Sequence, residues 1–276
     1  MRNAMNIYLM TDMEGCAGML NHDDWVLPTS RYYEKGRQIL TEETNATVSG
    51  FFDSGATRVL VVDGHGAGGI DPLLLDPRAE LLRGWPDCIY PLGLDSSFDA
   101  VAWVGQHAKA GTDYSHITHT GWFNCIDDSV NGLSIGEYGA VALCARELGI
   151  PSIFAGGEAA LAAEVEALTP GAVTVAVKRG LKKDGLDHLT TDEYRAAKLS
   201  AIHLSHAEAC RLLRAGAAQA LQRLKTHPES FRYVTLQPPY VRTIRLRADA
   251  KQPAHIDRHE HPDSLIGLMN APYRNR

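Results

Sequence analysis

The sequence has no paired cysteine motif. Its five cysteines are scattered along 276 residues, and none of them stands in a C-x-x-C pair. A disulfide framework or a zinc-finger site would need paired or regularly spaced cysteines. We therefore expect reduced thiols, which are typical of the cytoplasm.

Long hydrophobic runs and runs of basic residues are also missing. No apolar stretch approaches the length of about 20 residues that spans a bilayer. The first residues, MRNAMN, lead directly into a predicted strand, so we expect no signal peptide and a cytoplasmic location. With 33 acidic and 27 basic residues the net charge is −6, and we expect neither nucleic acid nor a membrane as a partner.

Strand and helix patterns alternate along the chain. Buried-strand patterns occur at residues 6–11, 58–62, 101–104, 152–155 and 173–177, and helical patterns at residues 32–54, 136–148, 158–168 and 205–224. This order predicts an α/β protein with a mainly parallel sheet flanked by helices. A charged, glycine-containing segment predicts a boundary between a metal-binding α/β domain, residues 1–180, and a smaller C-terminal α/β lobe, residues 181–276.

Ionisable side chains follow the first two predicted strands directly. Asp12 and Glu14 end the first strand, and Asp63 and His65 end the second. Residues i and i+2 of an extended chain point to the same side, so each of these pairs can act together. Two adjacent carboxylates at the end of a core strand repel each other unless a cation lies between them.

Two further candidates fit the same edge of the sheet. His107 follows the strand AVAWVGQ, and Glu137 opens a helix. The carboxyl ends of parallel strands share one edge, where open α/β proteins bind ligands. A set of Asp, Glu and His without cysteine suits zinc, with manganese or cobalt as alternatives. Neighbouring carboxylates often share two metal ions, so we predict a two-metal hydrolytic site.

Each residue also has an ordinary structural interpretation. Asp12 could form a turn or cap a helix, Glu14 could lie on the surface, and His65 could be structural within a glycine loop. Glu137 could merely complement a helix dipole. The metal hypothesis therefore rests on the combination of these residues at successive strand ends.

A glycine-rich stretch offers a competing hypothesis. Residues 64–69, GHGAGG, fit the pattern G-x-G-x-x-G and follow a strand, as in dinucleotide-binding proteins. That motif also needs a helix whose N-terminus faces the pyrophosphate. Pro72 and Pro77 disfavour a regular helix here, so we do not predict nucleotide binding.

Several motifs occur together in a recognisable order. They are YLMTDMEGCAG, LTEETNA, SGATRVLVVDGHG, WVGQHAKAGT, HT at residues 119–120, IGEYG and VAVKRG. Over about residues 5–225 the chain resembles the zinc-dependent D-aminopeptidase family of metallopeptidases, typified by the enzyme of bacterial dipeptide-transport operons. The resemblance implies two zinc ions per protomer, held by ligands at Asp12, Glu14, His65, His107 and Glu137.

The resemblance also implies a catalytic histidine and an assembly. The histidine should lie about a dozen residues beyond His107, where His119 is the better match and His116 the alternative. The family further implies a two-part α/β protomer that assembles into a ring-like homo-oligomer, a decamer, and acts on short peptides.

Two residues outside this set carry separate hypotheses. Asp63 could orient His65 or a neighbouring ligand without binding the metal itself. Lys178 could bind a substrate carboxylate or lie on the surface. The chain after about residue 239 does not match the family and lacks the expected amphipathic helix. Its histidines suggest either a second metal site or a solvated surface segment: His255, His259 and His261.

The sequence therefore predicts a two-metal aminopeptidase that removes the N-terminal residue of short peptides, including peptides of D-amino acids. One alternative is another metal-dependent amidohydrolase, or a phosphoesterase, on the same scaffold. A second alternative is a metal- or peptide-binding protein without turnover.

Overall fold

A computed structural model describes residues 5–84, 89–250 and 252–271. Cys88 lies outside the described residues, and the other four cysteines are free. None of the helices within the described ranges is long and apolar enough to cross a membrane.

The main sheet contains seven strands in the order β3-β2-β1-β4-β7-β8-β9. All neighbours are parallel except β8 and β9. The strands are β1 (Asn6–Thr11), β2 (Arg58–Asp63), β3 (Glu80–Leu82), β4 (Ala100–Gln106), β7 (Ser152–Glu158), β8 (Val173–Gly180) and β9 (Ala201–His203). The predicted α/β fold with a mainly parallel sheet is confirmed, and β2, β4, β7 and β8 extend beyond the predicted ranges.

Helices cover both faces of this sheet. Helices α2 (Tyr33–Asp53) and α6 (His206–Thr226) contribute to one apolar cluster, and α3 (Glu137–Glu147) and α4 (Leu161–Leu168) to the other. The remaining α-helices of the described residues are α1 (His22–Trp25), α5 (Thr191–Ala197) and α7 (Leu265–Met269). The four predicted helices correspond to α2, α3, α4 and α6.

Strand β1 shows why the sheet needs cover on both sides. Ile7 and Leu9 point into one apolar cluster, while Tyr8 and Met10 point into the other. A parallel strand that is buried on both faces is a continuous apolar run, as seen here. The charged groups lie beyond the end of the strand, and Asp12 follows it directly.

The second, smaller sheet was not predicted. It is antiparallel, with the order β11-β10-β5-β6 and the strands β5 (Cys125–Val130), β6 (Leu133–Ile135), β10 (Tyr240–Leu246) and β11 (His255–His261). The segment after residue 239 therefore forms a hairpin that pairs with β5, followed by the five-residue helix α7.

The domain boundary at residue 180 stays a prediction. Strand β9, from the second part of the chain, hydrogen-bonds to β8 of the first part. Strand β10 in turn pairs with β5.

The order in which successive strands are added to the sheet reverses at β1. From β1 the chain moves to β2 on one side and then to β4 on the other. In open α/β sheets a crevice forms at the carboxyl ends of the strands at such a switch point. Here the loops after β1, β2 and β4 meet at this crevice.

Close backbone packing at the crevice depends on glycine. A Cβ atom on Gly105, which has a φ of +70°, would lie 1.9 Å from the Asp12 carbonyl oxygen. A Cβ on Gly15 would lie 2.1 Å from the Gln106 carbonyl oxygen. The loops after β1 and β4 can therefore approach each other only because neither glycine has a side chain.

We expect Gly105→Ala to destabilise the fold by on the order of 1–3 kcal/mol, because alanine would be strained at positive φ and would overlap Asp12. Gly66→Ala is the matched control, since a Cβ there has no neighbour within 4 Å. Chemical denaturation should show a loss for the first variant and a change below about 0.5 kcal/mol for the second. Equal stabilities of both variants would contradict this packing argument.

Candidate metal centre

Two groups of potential metal ligands lie side by side at the crevice. The first consists of Asp12, Glu14 and His65, and the second of His107, His119 and Glu137. In each group, one nitrogen or oxygen atom from every residue lies within 4.8 Å of the others. The structure thus brings together all five predicted ligands, and it adds the predicted catalytic histidine.

Asp12 connects the two groups. Its Oδ1 lies 3.2 Å from His65 Nδ1, and its Oδ2 lies 3.2 Å from His107 Nε2. Glu14 Oε2 is also 3.2 Å from His65 Nδ1, and Glu137 Oε2 is 3.5 Å from His107 Nε2. One carboxylate therefore offers one oxygen to each side, which is the geometry of a bridging ligand.

Backbone carbonyls fix the imidazoles of His65 and His107. His65 Nε2 lies 2.8 Å from the carbonyl oxygen of Val26, and His107 Nδ1 lies 2.8 Å from that of Ala108. A carbonyl only accepts hydrogen bonds, so each of these nitrogens carries the proton. The other ring nitrogen faces the carboxylates, as is usual for histidines that bind metals.

His119 is held in the same manner. Its Nδ1 lies 3.1 Å from the carbonyl oxygen of Ile117, and its Nε2 is 3.9 Å from Glu137 Oε1. Its ring stacks on His107, with 4.3 Å between ring centroids, and packs against Phe123. His119 therefore presents one nitrogen to the second group from a fixed position.

The electrostatics of the site favour positive charge. Burial alone lowers the pKa of His65, but Glu14 and Asp12 raise it well above its ordinary value. The pKa of His107 rises in the same way, through Glu137 and Asp12. Burial opposes ionisation of Glu137, yet His107 lowers the pKa of that carboxyl to about 2. The acids thus stay ionised and attract any cation that can reach them.

Buried polar atoms provide a test of whether a metal fits. Glu14 Oε2 and His107 Nε2 are buried and make no hydrogen bond within the described part of the chain. Each atom lies 3.2 Å from an oppositely charged neighbour, His65 Nδ1 for Glu14 and Asp12 Oδ2 for His107, but without the geometry of a hydrogen bond. A buried polar atom that makes no hydrogen bond is costly. Oxygen and nitrogen donors without sulfur suit zinc or a related divalent ion, so the residues fit the predicted metals.

A cavity of about 280 Å³ opens onto both groups. Asp12, Glu14, His65, His119 and Glu137 line its polar side. The apolar part of its lining includes Val26, Leu27, Ile89, Leu92 and Trp122, together with Tyr90. The cavity is at the small end of the range for ligand pockets, on the order of 300–1,000 Å³.

Asp63 supports the glycine loop rather than a ligand side chain. Its carboxylate accepts hydrogen bonds from the backbone N–H of Gly69 at 2.9 and 3.0 Å. Arg83, which sequence reasoning missed, donates to the carbonyls of Asp63, His65 and Gly66 at 2.6–2.8 Å. Both residues hold the backbone that carries His65. Residues 64–79, all of which are described, contain turns and no helix, in line with the rejection of the nucleotide motif.

Lys178 and His116 lie behind the crevice. Lys178 is 3% exposed, so it is not a surface lysine, and its Nζ donates to the backbone carbonyl of Glu14. Its Nζ also lies 3.1 Å from Nδ1 of His116, which is fully buried. Neither residue lines the cavity described above.

Two further polar residues escaped sequence reasoning. Glu158 ends β7 and accepts hydrogen bonds from the backbone N–H groups of Ala108 and His116, both at 2.7 Å. Gln106 donates to Asp12 Oδ2 at 3.3 Å. The signal that could have found Glu158 is its position at the carboxyl end of a parallel strand, which the sequence analysis assigned to a helix start.

The C-terminal histidines form no comparable group. Within the described residues, none of His255, His259 and His261 shares a set of three ligand atoms within 4.8 Å. They alternate with the exposed residues of β11, whose Ile256 is 65% exposed.

Comparisons with known proteins place the chain in a family. The profile of a family described as D-aminopeptidase matches residues 5–258. The D-aminopeptidase of Bacillus subtilis (strain 168) is 33% identical over 193 residues, which are 67% of this chain and 68% of that protein. The solved structure of the Zn-dependent D-aminopeptidase DppA from Bacillus subtilis, described as a self-compartmentalizing protease, is 27% identical. Its TM-score is 0.81, and the match covers 96% of this chain and 94% of that one.

These matches define the chain as a peptidase, an enzyme that hydrolyses peptide bonds. The chain belongs to the D-aminopeptidase family. The resemblance noted from the sequence is thereby confirmed, and the aminopeptidase prediction is favoured over the phosphoesterase and binding-protein alternatives.

A buried acid on α2 contacts the loop that follows β1. Glu43 is fully buried, and its Oε1 accepts a hydrogen bond of 2.9 Å from the backbone N–H of Ala17. Its Oε2 makes no hydrogen bond with any described residue. Burial raises the pKa of Glu43 from 4.5 to about 8.

We expect Glu43→Gln to flatten the pH dependence of stability. Between about pH 4.5 and pH 8 the folded protein retains a proton on Glu43 that the unfolded chain has released. This group therefore makes stability fall as pH rises, by at most about 1.4 kcal/mol per pH unit. Urea denaturation of the variant at pH 5 and pH 9 should show a smaller loss than in the wild type.

Glu166→Gln on α4 is the control, because that side chain is exposed. Its stability profile should run parallel to that of the wild type over this pH range. A parallel profile for Glu43→Gln as well would contradict the raised pKa.

Proposed function

We propose that this enzyme holds two zinc ions per protomer and removes the N-terminal residue of short peptides, with a preference for D-residues. The observation that carries the proposal is the buried Asp12 carboxylate, with one oxygen directed at each ligand group. The zinc dependence of the solved relative supports the choice of metal.

The proposed ligands divide between the two ions. Asp12, Glu14 and His65 would hold one ion, and Asp12, His107 and Glu137 the other. Zinc sites in hydrolases commonly keep three protein ligands and an open position for water or substrate. Manganese or cobalt could occupy the same donor set.

The bound ions supply Lewis-acid polarisation of the scissile carbonyl and activate a water for attack at neutral pH. The protein residues orient the substrate and move the proton. Nε2 of His119 faces the cavity beside Glu137, so we assign His119 the transfer of the proton from the attacking water to the leaving amine.

His119 suits this role better than His116. His116 is fully buried, and its two ring nitrogens contact Lys178 and the carbonyl of Leu20. Burial and the charge of Lys178 lower the pKa of His116 to about 2, so it stays neutral. A general base must reach the reacting proton, and only His119 of the two lines the cavity.

The cavity supports an aminopeptidase acting on short substrates. Its acidic side would attract the ammonium group at the start of a peptide, next to the reacting carbonyl. Its apolar side, which includes Leu92 and Trp122, would accept the side chain of the first residue. A volume of about 280 Å³ leaves space for few residues.

We further propose a homo-oligomer, namely the decameric ring that the family resemblance implies. The solved relative is described as a self-compartmentalizing protease and aligns with 96% of this chain. An enclosed assembly of this kind would add a size limit to that of the cavity.

A single purified preparation tests these proposals. Light scattering should give the mass of ten chains of 30.1 kDa, and elemental analysis should give two zinc ions per chain. The sample should then hydrolyse D-aminoacyl amides and dipeptides faster than the matched L-compounds. Treatment with a chelator should abolish both activities, and added zinc should restore them.

Hydrolysis that survives complete removal of zinc would contradict the metal mechanism. Cleavage of L-substrates alone would contradict the D-preference but leave the metal site intact. A mass equal to one chain would contradict the assembly only.

We expect His119→Ala to lower kcat at least about 100-fold, because the proton transfer is lost. The zinc content should remain two ions per chain, since the five ligands are unchanged. Asp12→Ala is the contrasting variant, which should lose zinc as well as activity. If His119→Ala itself lost one zinc ion, His119 would be a ligand of the second group rather than the catalytic residue.

A further inference from the structure

We propose that Lys178, His116 and Glu158 form a buried positioning network that holds the two ligand-bearing loops in register, an inference that rests on the proposed function. The β1 loop (residues 12–20) carries Asp12 and Glu14. The β4 loop (residues 107–119) begins at His107 and ends at His119.

Lys178 anchors the β1 loop. Its ammonium group donates a hydrogen bond to the backbone carbonyl of Glu14, the residue whose side chain belongs to the first ligand group. Lys178 is 3% exposed, so little water competes for the hydrogen bonds of its ammonium group. A hydrogen bond from a charged donor is stronger than one from a neutral donor. This bond therefore fixes the backbone position of Glu14 relative to β8.

Glu158 anchors the β4 loop. One carboxylate oxygen accepts the backbone N–H of Ala108, and the other accepts that of His116. These two residues stand near the two ends of the β4 loop, which a single buried carboxylate therefore holds together. The loop closes in such a way that His107 and His119 stack on each other.

His116 joins the two anchors. Its backbone N–H is bound to Glu158, while Nδ1 lies 3.1 Å from the ammonium group of Lys178. Its Nε2 lies 3.2 Å from the carbonyl oxygen of Leu20, so Nε2 carries the proton and Nδ1 accepts from Lys178. One imidazole thus connects the far end of the β1 loop to the β4 loop.

The network is built on two adjacent strands. Glu158 ends β7 and is the cross-strand partner of Lys178 on β8. At this position the charge of Glu158 favours the ammonium form of Lys178 and so opposes the effect of burial on its pKa. The pair is buried and lies on the rigid sheet, behind the loops it holds and away from the residues that line the cavity.

This arrangement predicts an effect on metal binding rather than on substrate binding. Residues that orient metal ligands typically change metal affinity about 10–100-fold when they are replaced. Lys178 touches Glu14 only through its main chain, so its loss should displace that ligand without removing it. Binding of substrate in the cavity should change little.

The experiment compares Lys178→Met with Lys225→Met in the full-length protein. Lys225 also donates from its ammonium group to main-chain carbonyls, those of Ser54 and Gly55, but far from the crevice. Competition with a zinc-chelating dye should show zinc affinity at least about 10-fold weaker for Lys178→Met and unchanged for Lys225→Met. The visible spectrum of the cobalt-substituted protein should change only in the first variant.

A pair of His116 variants provides a second arm if Lys178→Met does not fold. Asparagine keeps a polar atom near the position of Nδ1, whereas glutamine keeps one near that of Nε2. We therefore expect His116→Asn to preserve zinc affinity better than His116→Gln, because only the first retains the contact with Lys178. Circular dichroism of both zinc-free variants checks that they are folded.

Wild-type zinc affinity in Lys178→Met and in both His116 variants would overturn the inference. So would a higher KM for peptides with a free carboxylate, with KM for peptide amides and zinc affinity unchanged, since Lys178 would then bind substrate. A wild-type protein that binds no zinc would instead refute the proposed function, so the two failures are distinguishable.

Discussion

Asp12 places a buried carboxylate between two imidazoles, and the rest of the crevice is arranged around this charge. The acids of both ligand groups lie close enough to repel one another, and a buried anion without compensation is costly. In the absence of a metal, His65 and His107 partly compensate, since their pKa values rise well above the ordinary range. The proposed pair of divalent cations would provide the full compensation and would make so many acids tolerable beside the core.

The fold makes this concentration of charge possible by separating apolar strands from polar loop starts. Strand β1 is buried on both faces, and the first charged residue after it is Asp12. Glycines then allow the loops after β1 and β4 to approach more closely than any other residue would permit. Behind them, Lys178 and Glu158 form hydrogen bonds to the loop backbones rather than to the ligand side chains. The apolar sheet thus supports the buried polar residues, these residues hold the loop backbones, and the loops carry the proposed ligands.

The similarity to known D-aminopeptidases extends across both sheets, because 96% of the chain aligns with the solved relative. The expectation that the chain after about residue 239 does not match the family was wrong, because the family profile extends to residue 258. Strands β10 and β11 of this segment complete the smaller sheet. Strand β10 alternates buried and more exposed residues, which is the pattern of an antiparallel strand. Charged residues along β11 obscure that pattern, so the sequence alone resembles a solvated surface segment. Its partner β5 lies more than a hundred residues earlier in the chain.

That the five proposed ligands lie at one edge of the sheet could be predicted from the sequence, because each follows a strand or opens a helix and the carboxyl ends of parallel strands share one edge. The main strands and the four long helices follow from apolar periodicity for the same local reasons. The choice between His116 and His119, the burial of Lys178 and the double hydrogen bond of Glu158 could not be predicted in this way. These features depend on which loop crosses which strand end, and hence on contacts between residues up to 164 positions apart. The sequence by itself thus determined which groups can bind a metal, whereas only the tertiary structure decided which groups face the cavity and which hold it in place, because burial and hydrogen bonding are properties of the packed chain.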